Sequence, residues 1–228
     1  MKGKLFGVGI GPGDPELLTL KAVRIIREAS VIAVPGKKKE DTVAYQITVQ
    51  AVPEIAEKEC MEIYMPMTKE KKALEESHEK AAQQVAEMLE RGYDVAFLTL
   101  GDSSVYSTYL YIHERIRAMG YETEIVSGIP SFCAVAARLN MGLVEKAQPL
   151  HVIPASYQIE EALKLPGTKV LMKAGKKMRE VKEMLMGLEA DTVMIENCGM
   201  EGERVFQSAA EIPEDAGYYS LIIVKEKE

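Results

Sequence analysis

The sequence predicts an α/β protein of two domains, with a mainly parallel N-terminal sheet and a mixed C-terminal sheet. Short apolar runs of strand length alternate with helical patterns along the first half of the chain, which is typical of βαβ units. The alternation continues in the second half, but the last apolar run, at 218–225, has no helix after it. Some antiparallel pairing is therefore expected there. A length of 228 residues suits one large domain or two small ones.

The first half of the chain contains five predicted strands separated by helices. Strands are predicted at residues 4–9, 31–35, 60–65, 95–100 and 122–126. Helices are predicted from about residue 16 to 26 and at 43–52, 69–91, 105–119 and 133–139. Right-handed crossovers would bring the loops at 10–15, 35–41, 101–106 and 127–132 to one edge of the sheet.

A polar, irregular stretch at 141–150 is interpreted as a linker between the two domains. The predicted N-terminal α/β domain is therefore 1–143, and the predicted C-terminal α/β domain is 144–228. In the second domain, strands are predicted at 151–154, 169–173, 192–196, 205–208 and 218–225, with helices at 159–163 and 178–188.

The loop at 101–106 begins with Gly101 and Asp102, directly after a buried strand pattern. Open α/β sheets bind ligands at the carboxyl ends of their strands, so this loop is a candidate binding element. Either Ser103 or Ser104 could cap the helix that follows. An ordinary strand-to-helix turn uses the same residue types, so this stretch alone leaves both readings open.

A glycine-rich turn at 7–15 follows the first strand. The dinucleotide fingerprint G-x-G-x-x-G fails in both registers, because Pro12 and Asp14 occupy the third glycine positions. The Walker pattern also fails, since no Gly-Lys-Ser/Thr closes the turn. What remains is a stiff turn that contains an acid and allows a ligand to approach the backbone closely. Such a turn suits a cationic or hydroxyl-bearing ligand better than a phosphate.

Composition argues against several classes of protein. The net charge of −7 and the pI of about 5.3 disfavour non-specific binding to nucleic acid. No apolar run approaches the roughly 20 residues of a membrane span, and the start of the chain does not have the pattern of a signal peptide. Cys60, Cys133 and Cys198 are far apart, so neither a disulfide framework nor a metal site is expected. A reducing cytoplasm is the simplest interpretation.

Three motifs in the same order resemble the tetrapyrrole methylases. They are Gly-x-Gly-Pro-Gly-Asp at 9–14, Gly-Asp-x-x-x-Tyr at 101–106 and Gly-Ile-x-Ser-Phe at 128–132. The resemblance spans essentially the whole chain. It implies two α/β domains of the tetrapyrrole methylase type with a cofactor cleft between them. It also implies S-adenosylmethionine as cofactor, S-adenosylhomocysteine as its product, and a homodimer.

Further stretches resemble one group within that family, the precorrin-2 C-20 methyltransferases. These are LLTLKA at 17–22, YMPMT at 64–68, FLTLGD at 97–102 and YSTY at 106–109. The resemblance implies methylation of the C-20 meso carbon of precorrin-2 or cobalt-factor II in cobalamin (corrin) biosynthesis. One departure is Ser103, where many members have proline; we expect it to loosen the turn rather than alter the chemistry.

The resemblance also assigns roles to individual residues. Asp102 and Tyr106 are the candidate catalytic residues, because either could assist loss of the proton from the attacked carbon, directly or through water. The implied cofactor-binding residues are Ile10, Pro12, Gly101, Asp102, Ser103, Val105, Tyr106, Ser131, Phe132, Met172 and Asn197. For Met172, simple core packing is an equally good reading. No metal site is expected.

The implied substrate is an anionic tetrapyrrole, whereas the protein is net negative, so long-range electrostatics would oppose binding. Local cations must then line the site. The candidates are Lys37, Lys38, Lys39, Arg138 and Lys173. No nucleic acid or membrane partner is expected.

Two alternatives stay open from the sequence. One is a methyltransferase of the same fold that acts on another precorrin carbon or on the modified histidine of a translation factor. The other is a nucleotide-responsive, non-enzymatic binding module on a doubly wound sheet. The failed G-x-G-x-x-G and Walker patterns speak against the second alternative.

Overall fold

The structure is a computed structural model that describes residues 1–66, 68, 70–156 and 159–226. Its internal contacts divide the chain into two compact units, Met1–Pro130 and Ser131–Glu228. Met67, in the predicted YMPMT motif, and Lys69, at the predicted start of the third helix, lie outside the described residues.

The N-terminal unit contains a five-stranded sheet in the order β3-β2-β4-β1-β5, and every pairing in it is parallel. The strands are β1 (Leu5–Gly9), β2 (Val31–Pro35), β3 (Glu59–Ile63), β4 (Val95–Thr99) and β5 (Thr123–Val126). The predicted parallel sheet is confirmed. Its central strands β1 and β4 are buried along their whole length, which explains their near-continuous apolar sequences.

Four helices connect these strands: α1 (Leu20–Glu28), α2 (Val43–Ala51), α3 (Lys71–Glu90) and α4 (Tyr109–Ala118). Tyr109 is fully buried against β1, and a Cβ at Gly7 would lie 2.0 Å from its ring, so only glycine fits there. The Tyr109 hydroxyl contacts His113 Nδ1 at 3.0 Å and donates to the backbone oxygen of Glu124 at 3.3 Å. Within the described residues, no helix is both long enough and apolar enough to span a bilayer.

Two helix starts differ from the sequence prediction. The helix predicted from residue 16 begins at Leu20, where Thr19 caps it by accepting from the Ala22 N–H at 3.1 Å. The helix predicted at 105–119 begins only at Tyr109, because Tyr106 adopts a left-handed backbone conformation with φ of 48°. Neither Ser103 nor Ser104 caps it.

The C-terminal unit contains a mixed sheet in the order β6-β7-β10-β8-β9. Its elements are α5 (Ser131–Arg138), β6 (Leu150–Pro154), α6 (Glu160–Leu163), β7 (Thr168–Met172), α7 (Met178–Met186), β8 (Ala190–Glu196), β9 (Arg204–Phe206) and β10 (Ser220–Glu226). Only β6 and β7 pair in parallel; β10 is antiparallel to both β7 and β8. The predicted antiparallel pairing of the last strand is confirmed.

Both faces of this second sheet are covered. One face packs against α6 and α7, whereas the other face, which includes Val170, Ile195 and Ile223, packs against Val135 of α5. Helix α5 is therefore part of the second unit by its contacts. The sequence boundary at 143/144 lies later in the chain because it was placed at the polar linker rather than at the start of this helix.

Candidate functional site

The loops that follow β1, β4 and β5 meet at the carboxyl edge of the first sheet. The chain leaves β1 for β2, and later returns through β4 to the centre of the sheet, so β1 and β4 flank the topological switch point. The two loops are joined there by a pair of backbone hydrogen bonds. Gly101 N–H donates to Gly11 O at 2.8 Å, and Gly11 N–H donates to Gly101 O at 3.2 Å.

Two glycines, Gly9 and Gly128, allow these loops to approach at backbone distance. A Cβ at Gly128 would lie 2.2 Å from the carbonyl oxygen of Gly101, and one at Gly9 would lie 2.6 Å from the Gly128 nitrogen. Real side chains do not tolerate such separations from backbone atoms. Gly9 and Gly128 therefore let three loops from distant parts of the chain come together around the backbone of Gly101.

Asp102 connects two of these loops through its side chain. Its carboxylate is buried, with 8% of the residue exposed, and Oδ2 accepts from the Gly128 N–H at 2.9 Å. Oδ1 accepts from the Ser104 N–H at 2.7 Å and also from the Ser104 hydroxyl. Both oxygens are thus used to hold the loops, which favours a positioning role. The catalytic role assigned to Asp102 stays a prediction.

Two buried hydroxyls at the end of β4 have unused hydrogen-bonding capacity. Ser103 is fully buried, and among the described residues neither its Oγ nor the Oγ1 of Thr99 has a hydrogen-bond partner. Gly101 has a φ of 76°, and no described atom lies within 4 Å of the position a Cβ would occupy. Because buried hydroxyls are normally satisfied, this loop could accept a polar ligand close to its backbone.

The remaining predicted residues of the first unit lie at the same edge. Tyr106 is 48% exposed and has the left-handed backbone conformation that non-glycine residues rarely adopt and that often marks functional sites. Val105 is half-buried, and its N–H donates to Asp102 O at 3.3 Å. Ile10 and Pro12 are buried in the loop after β1, and the Ile10 N–H extends the pairing with β4 by donating to Thr99 O.

In the C-terminal unit, Met172 and Asn197 lie at one edge of the sheet. Met172 ends β7, and Asn197 follows β8. These two strands run in the same direction because both are antiparallel to β10. Asn197 has a φ of 55°, and its N–H donates to Tyr219 O at 3.0 Å. Met172 also packs in the apolar cluster on the α5 face, so core packing remains an alternative to a cofactor contact for this residue. Ser131 and Phe132 form the first turn of α5.

Two acids that the sequence analysis did not single out hold the loop around Asn197. Glu196 is buried; its Oε1 accepts from the Gly217 N–H at 2.6 Å, and its Oε2 accepts from Arg204. Glu203 accepts from the Gly199 N–H at 2.8 Å. The sequence signal that could have found the first of them is the position of Glu196, a charged residue directly after the apolar run at 193–195.

The candidate cations differ in their surroundings. Lys37 lies over the Tyr64 ring at 5.0 Å, and Lys39 lies over the Tyr45 ring at 5.4 Å, both at the carboxyl edge of the first sheet. Lys38 is exposed. Arg138 is already paired with Glu203 at 2.8 Å. Burial lowers the pKa of the Lys173 ammonium, which directly follows Met172.

The fold and the motif loops match a known family. The family profile for Tetrapyrrole (Corrin/Porphyrin) Methylases matches residues 4–213. The chain belongs to this family, as its three motifs predict.

Individual relatives refine this assignment. The chain is 33% identical, over 97% of its length and 96% of the relative's, to the probable cobalt-precorrin-2 C(20)-methyltransferase of Methanocaldococcus jannaschii. It is 32% identical to the cobalt-precorrin-2 C(20)-methyltransferase of Salmonella typhimurium, covering 100% of this chain and 98% of the relative. A uroporphyrin-III C-methyl transferase of Thermus thermophilus, solved in complex with S-adenyl homocysteine, shares the fold with a TM-score of 0.73 and 21% identity, over 98% of each chain.

Proposed function

We propose that this protein transfers a methyl group from S-adenosylmethionine to the C-20 meso carbon of precorrin-2 or cobalt-factor II in cobalamin biosynthesis. The observation that carries the proposal is the nearly full-length similarity to two relatives named for that reaction. The stretches at 17–22, 97–102 and 106–109, which resemble the same group, are consistent with it.

The loop after β4 fits S-adenosylmethionine. The unpartnered Oγ of Ser103, and the open approach to Gly101, suit a ligand that presents amine, carboxylate and hydroxyl groups to the backbone. Tyr106 and Val105, on the same loop, are proposed to flank its methionine end. Ser131, Phe132, Met172 and Asn197 of the C-terminal unit are proposed as its further contacts, as the resemblance to the family implies.

When bound, the cofactor supplies a methyl group on a sulfonium, which needs no further activation. The protein's task is therefore mainly to position two reactants in line, and well-oriented pairs can gain roughly 7–11 kcal/mol from this alone. The three joined loops of the first sheet offer a rigid frame for it. Tyr106 is proposed to assist removal of the proton from the methylated carbon, because this partly exposed residue belongs to the proposed cofactor loop.

The substrate carboxylates are proposed to bind cations at the sheet edges. Lys37 and Lys39 are the best candidates, because each lies over a tyrosine ring and, among the described residues, neither forms an ion pair. Arg138 is a weaker candidate, since Glu203 already engages its guanidinium. Methylation of another precorrin carbon, or nucleotide binding without catalysis, is less well supported by the relatives. We further propose a cytoplasmic homodimer.

The test is a turnover assay with methyl-labelled ¹³C S-adenosylmethionine and either precorrin-2 or cobalt-factor II. We expect one labelled methyl per macrocycle, and NMR of the product should place it at C-20. Uroporphyrinogen III and later precorrins serve as competing substrates in parallel reactions. Label on another carbon, or preferred turnover of a competing substrate, would overturn the assignment of the C-20 position.

A further inference from the structure

An ion pair connects helix α5 to the loop at 197–203, which joins β8 to β9. Arg138, in the last turn of α5, donates from Nε to Oε1 of Glu203 at 2.8 Å. Oε2 of the same carboxylate accepts from the Gly199 N–H at 2.8 Å. Arg138 and Glu203 are 65 residues apart in the sequence, so this one carboxylate joins two distant segments of the C-terminal unit.

The Glu203 carboxylate differs from that of an ordinary surface ion pair. The Glu203 side chain is only 17% exposed, whereas that of Arg138 is 62% exposed. Partial burial alone would raise the pKa of the Glu203 carboxyl, but the Gly199 N–H and the Arg138 guanidinium hold that pKa below its ordinary value. The carboxylate is therefore charged at neutral pH, and both of its hydrogen bonds are of the stronger, charge-assisted kind.

The loop has a backbone shape that tertiary contacts must hold. Asn197 and Gly199 both adopt the left-handed conformation, with φ of 55° and 73°. This conformation is strained for a residue other than glycine, so contacts in the folded protein must stabilise it at Asn197. Arg204 closes the base of the loop by donating from Nε to Glu196 Oε2 at 3.0 Å. The bond from Gly199 to the Glu203 carboxylate then holds the backbone two residues from Asn197.

The two segments that the ion pair joins both carry proposed cofactor contacts. Ser131 and Phe132 begin α5, and Asn197 begins the loop. We infer that Arg138 and Glu203 are positioning residues that hold α5 and the loop in the arrangement that binds S-adenosylmethionine, an inference that rests on the proposed function. They act through the segments they join rather than on the reactants themselves.

This assignment gives Arg138 a different role from the one that its charge suggests in the sequence. A substrate carboxylate at Arg138 would compete with Glu203, which is already within hydrogen-bond distance of the guanidinium. Its departure would also free the Glu203 carboxylate from one of the two groups that orient it. The guanidinium is therefore better suited to shaping the loop than to receiving the substrate.

The experiment measures the loop and the cofactor separately. In Arg138→Gln, mass spectrometry should show that amides of the 197–203 peptide exchange hydrogen about two- to fivefold faster, since a partly exposed ion pair has an effect of this size. Calorimetry should show a Kd for S-adenosylmethionine that is higher by about the same factor. Glu203→Ala removes both hydrogen bonds, so both effects should reach about tenfold. Arg138→Lys keeps the cation and should stay within about twofold of the wild type.

Arg179→Gln is the matched control, because Arg179 forms an exposed ion pair with Glu183 on α7 of the same unit. It should change neither loop exchange nor the Kd for S-adenosylmethionine. Urea unfolding should give similar stabilities for Arg138→Gln and Arg179→Gln. With both substrates saturating, Arg138→Gln should keep a kcat near that of the wild type, so its defect appears in the KM for S-adenosylmethionine. General damage to the fold would not produce this separation.

The inference requires both faster loop exchange and weaker cofactor binding in Arg138→Gln and Glu203→Ala. If either property stayed normal while the wild-type protein methylated its substrate, the inference would be refuted and the proposed function would stand. The same holds if Arg138→Gln raised the KM for precorrin-2 alone, because Arg138 would then belong to the substrate site. If the wild-type protein neither bound S-adenosylmethionine nor methylated a tetrapyrrole, the proposed function would fail and the inference with it.

Discussion

The carboxylate of Asp102 and the backbone N–H of Gly128 form a 2.9 Å hydrogen bond across 26 residues of sequence. The bond joins the loop after β4 to the loop after β5, and both loops carry family motifs. Because the same carboxylate also accepts two bonds from Ser104, it fixes the shape of the loop after β4 itself. Asp102 can therefore be essential for methyl transfer without exchanging a proton.

Replacing Asp102 separates these two roles. In Asp102→Ala the buried N–H of Gly128 loses its acceptor, which should cost about 1–3 kcal/mol of unfolding free energy and most of the affinity for S-adenosylmethionine. Asp102→Asn should retain part of the stability and part of the affinity for S-adenosylmethionine. Urea unfolding and calorimetry provide the two measurements, with Asp191→Ala, an exposed acid of β8, as control. Full stability and normal cofactor affinity in Asp102→Ala, combined with lost turnover, would instead identify a catalytic base.

Gly128→Ala tests the contact between the three loops. The added methyl would lie 2.2 Å from Gly101 O, so the loops must separate, and we expect a loss of about 1–3 kcal/mol in stability and at least tenfold weaker cofactor binding. Gly142→Ala is the matched control, because its nearest described neighbour would lie at 4.0 Å. Equal behaviour of the two variants in thermal melts and cofactor titrations would show that the loops are not closely coupled.

Lys37→Gln and Lys39→Gln test how an acidic protein holds an anionic substrate. Each change should raise the KM for precorrin-2 about two- to fivefold, because a partly exposed ion pair contributes about 0.2–1 kcal/mol. The rise of KM with added salt should become shallower in the double variant. Lys72→Gln, on the exposed face of α3, should behave like the wild type. If the KM of the wild type for precorrin-2 did not change with added salt, this electrostatic explanation would be wrong.

Acid should destabilise the N-terminal unit through two buried histidines. Burial lowers the pKa of His113, which contacts the Tyr109 hydroxyl, and that of His78, which stacks on Tyr111 at 4.6 Å. Above the unfolded pKa of about 6.5 both states are neutral. As the pH falls below that value the unfolded chain takes up protons first, so stability declines down to the lowered native pKa.

The measurement is the urea midpoint between pH 7.5 and pH 5. His113→Gln and His78→Gln should each reduce the decline over this range, whatever their effect at pH 7.5. If the urea midpoint of the double variant fell as steeply with decreasing pH as that of the wild type, other groups would dominate acid unfolding.

The sequence was sufficient for the parts of the fold that depend on local patterns. Strand β2 was predicted at its observed bounds, 31–35, because a charged loop and a polar turn flank an apolar run. The start of α4 could not be predicted, since residues 105–108 have a helical pattern but the bonds of Asp102 to Ser104 and Gly128 shape the loop before them. These hydrogen bonds depend on the tertiary structure, so the periodicity of the sequence does not reveal them.

The candidate site shows the same division. The motifs were sufficient to identify the loops at 9–14 and 101–106. They could not show that Gly9, Gly101 and Gly128 pack together, because that contact depends on the order of the strands in the sheet. Helix α5 has an apolar face in the sequence, yet only the structure shows which sheet that face covers.

The close packing of Gly9, Gly101 and Gly128 also determines where this scaffold can be altered. An enzyme engineer who seeks a new methyl acceptor has almost no freedom at Gly9 and Gly128, where a Cβ would meet a neighbouring main chain, or at Gly101, whose φ of 76° strains any other residue. In the loop at 35–41, by contrast, Lys37 and Lys39 extend their side chains over tyrosine rings. Libraries aimed at new acceptors should begin at these two lysines, so that the contacts between the three loops stay unchanged.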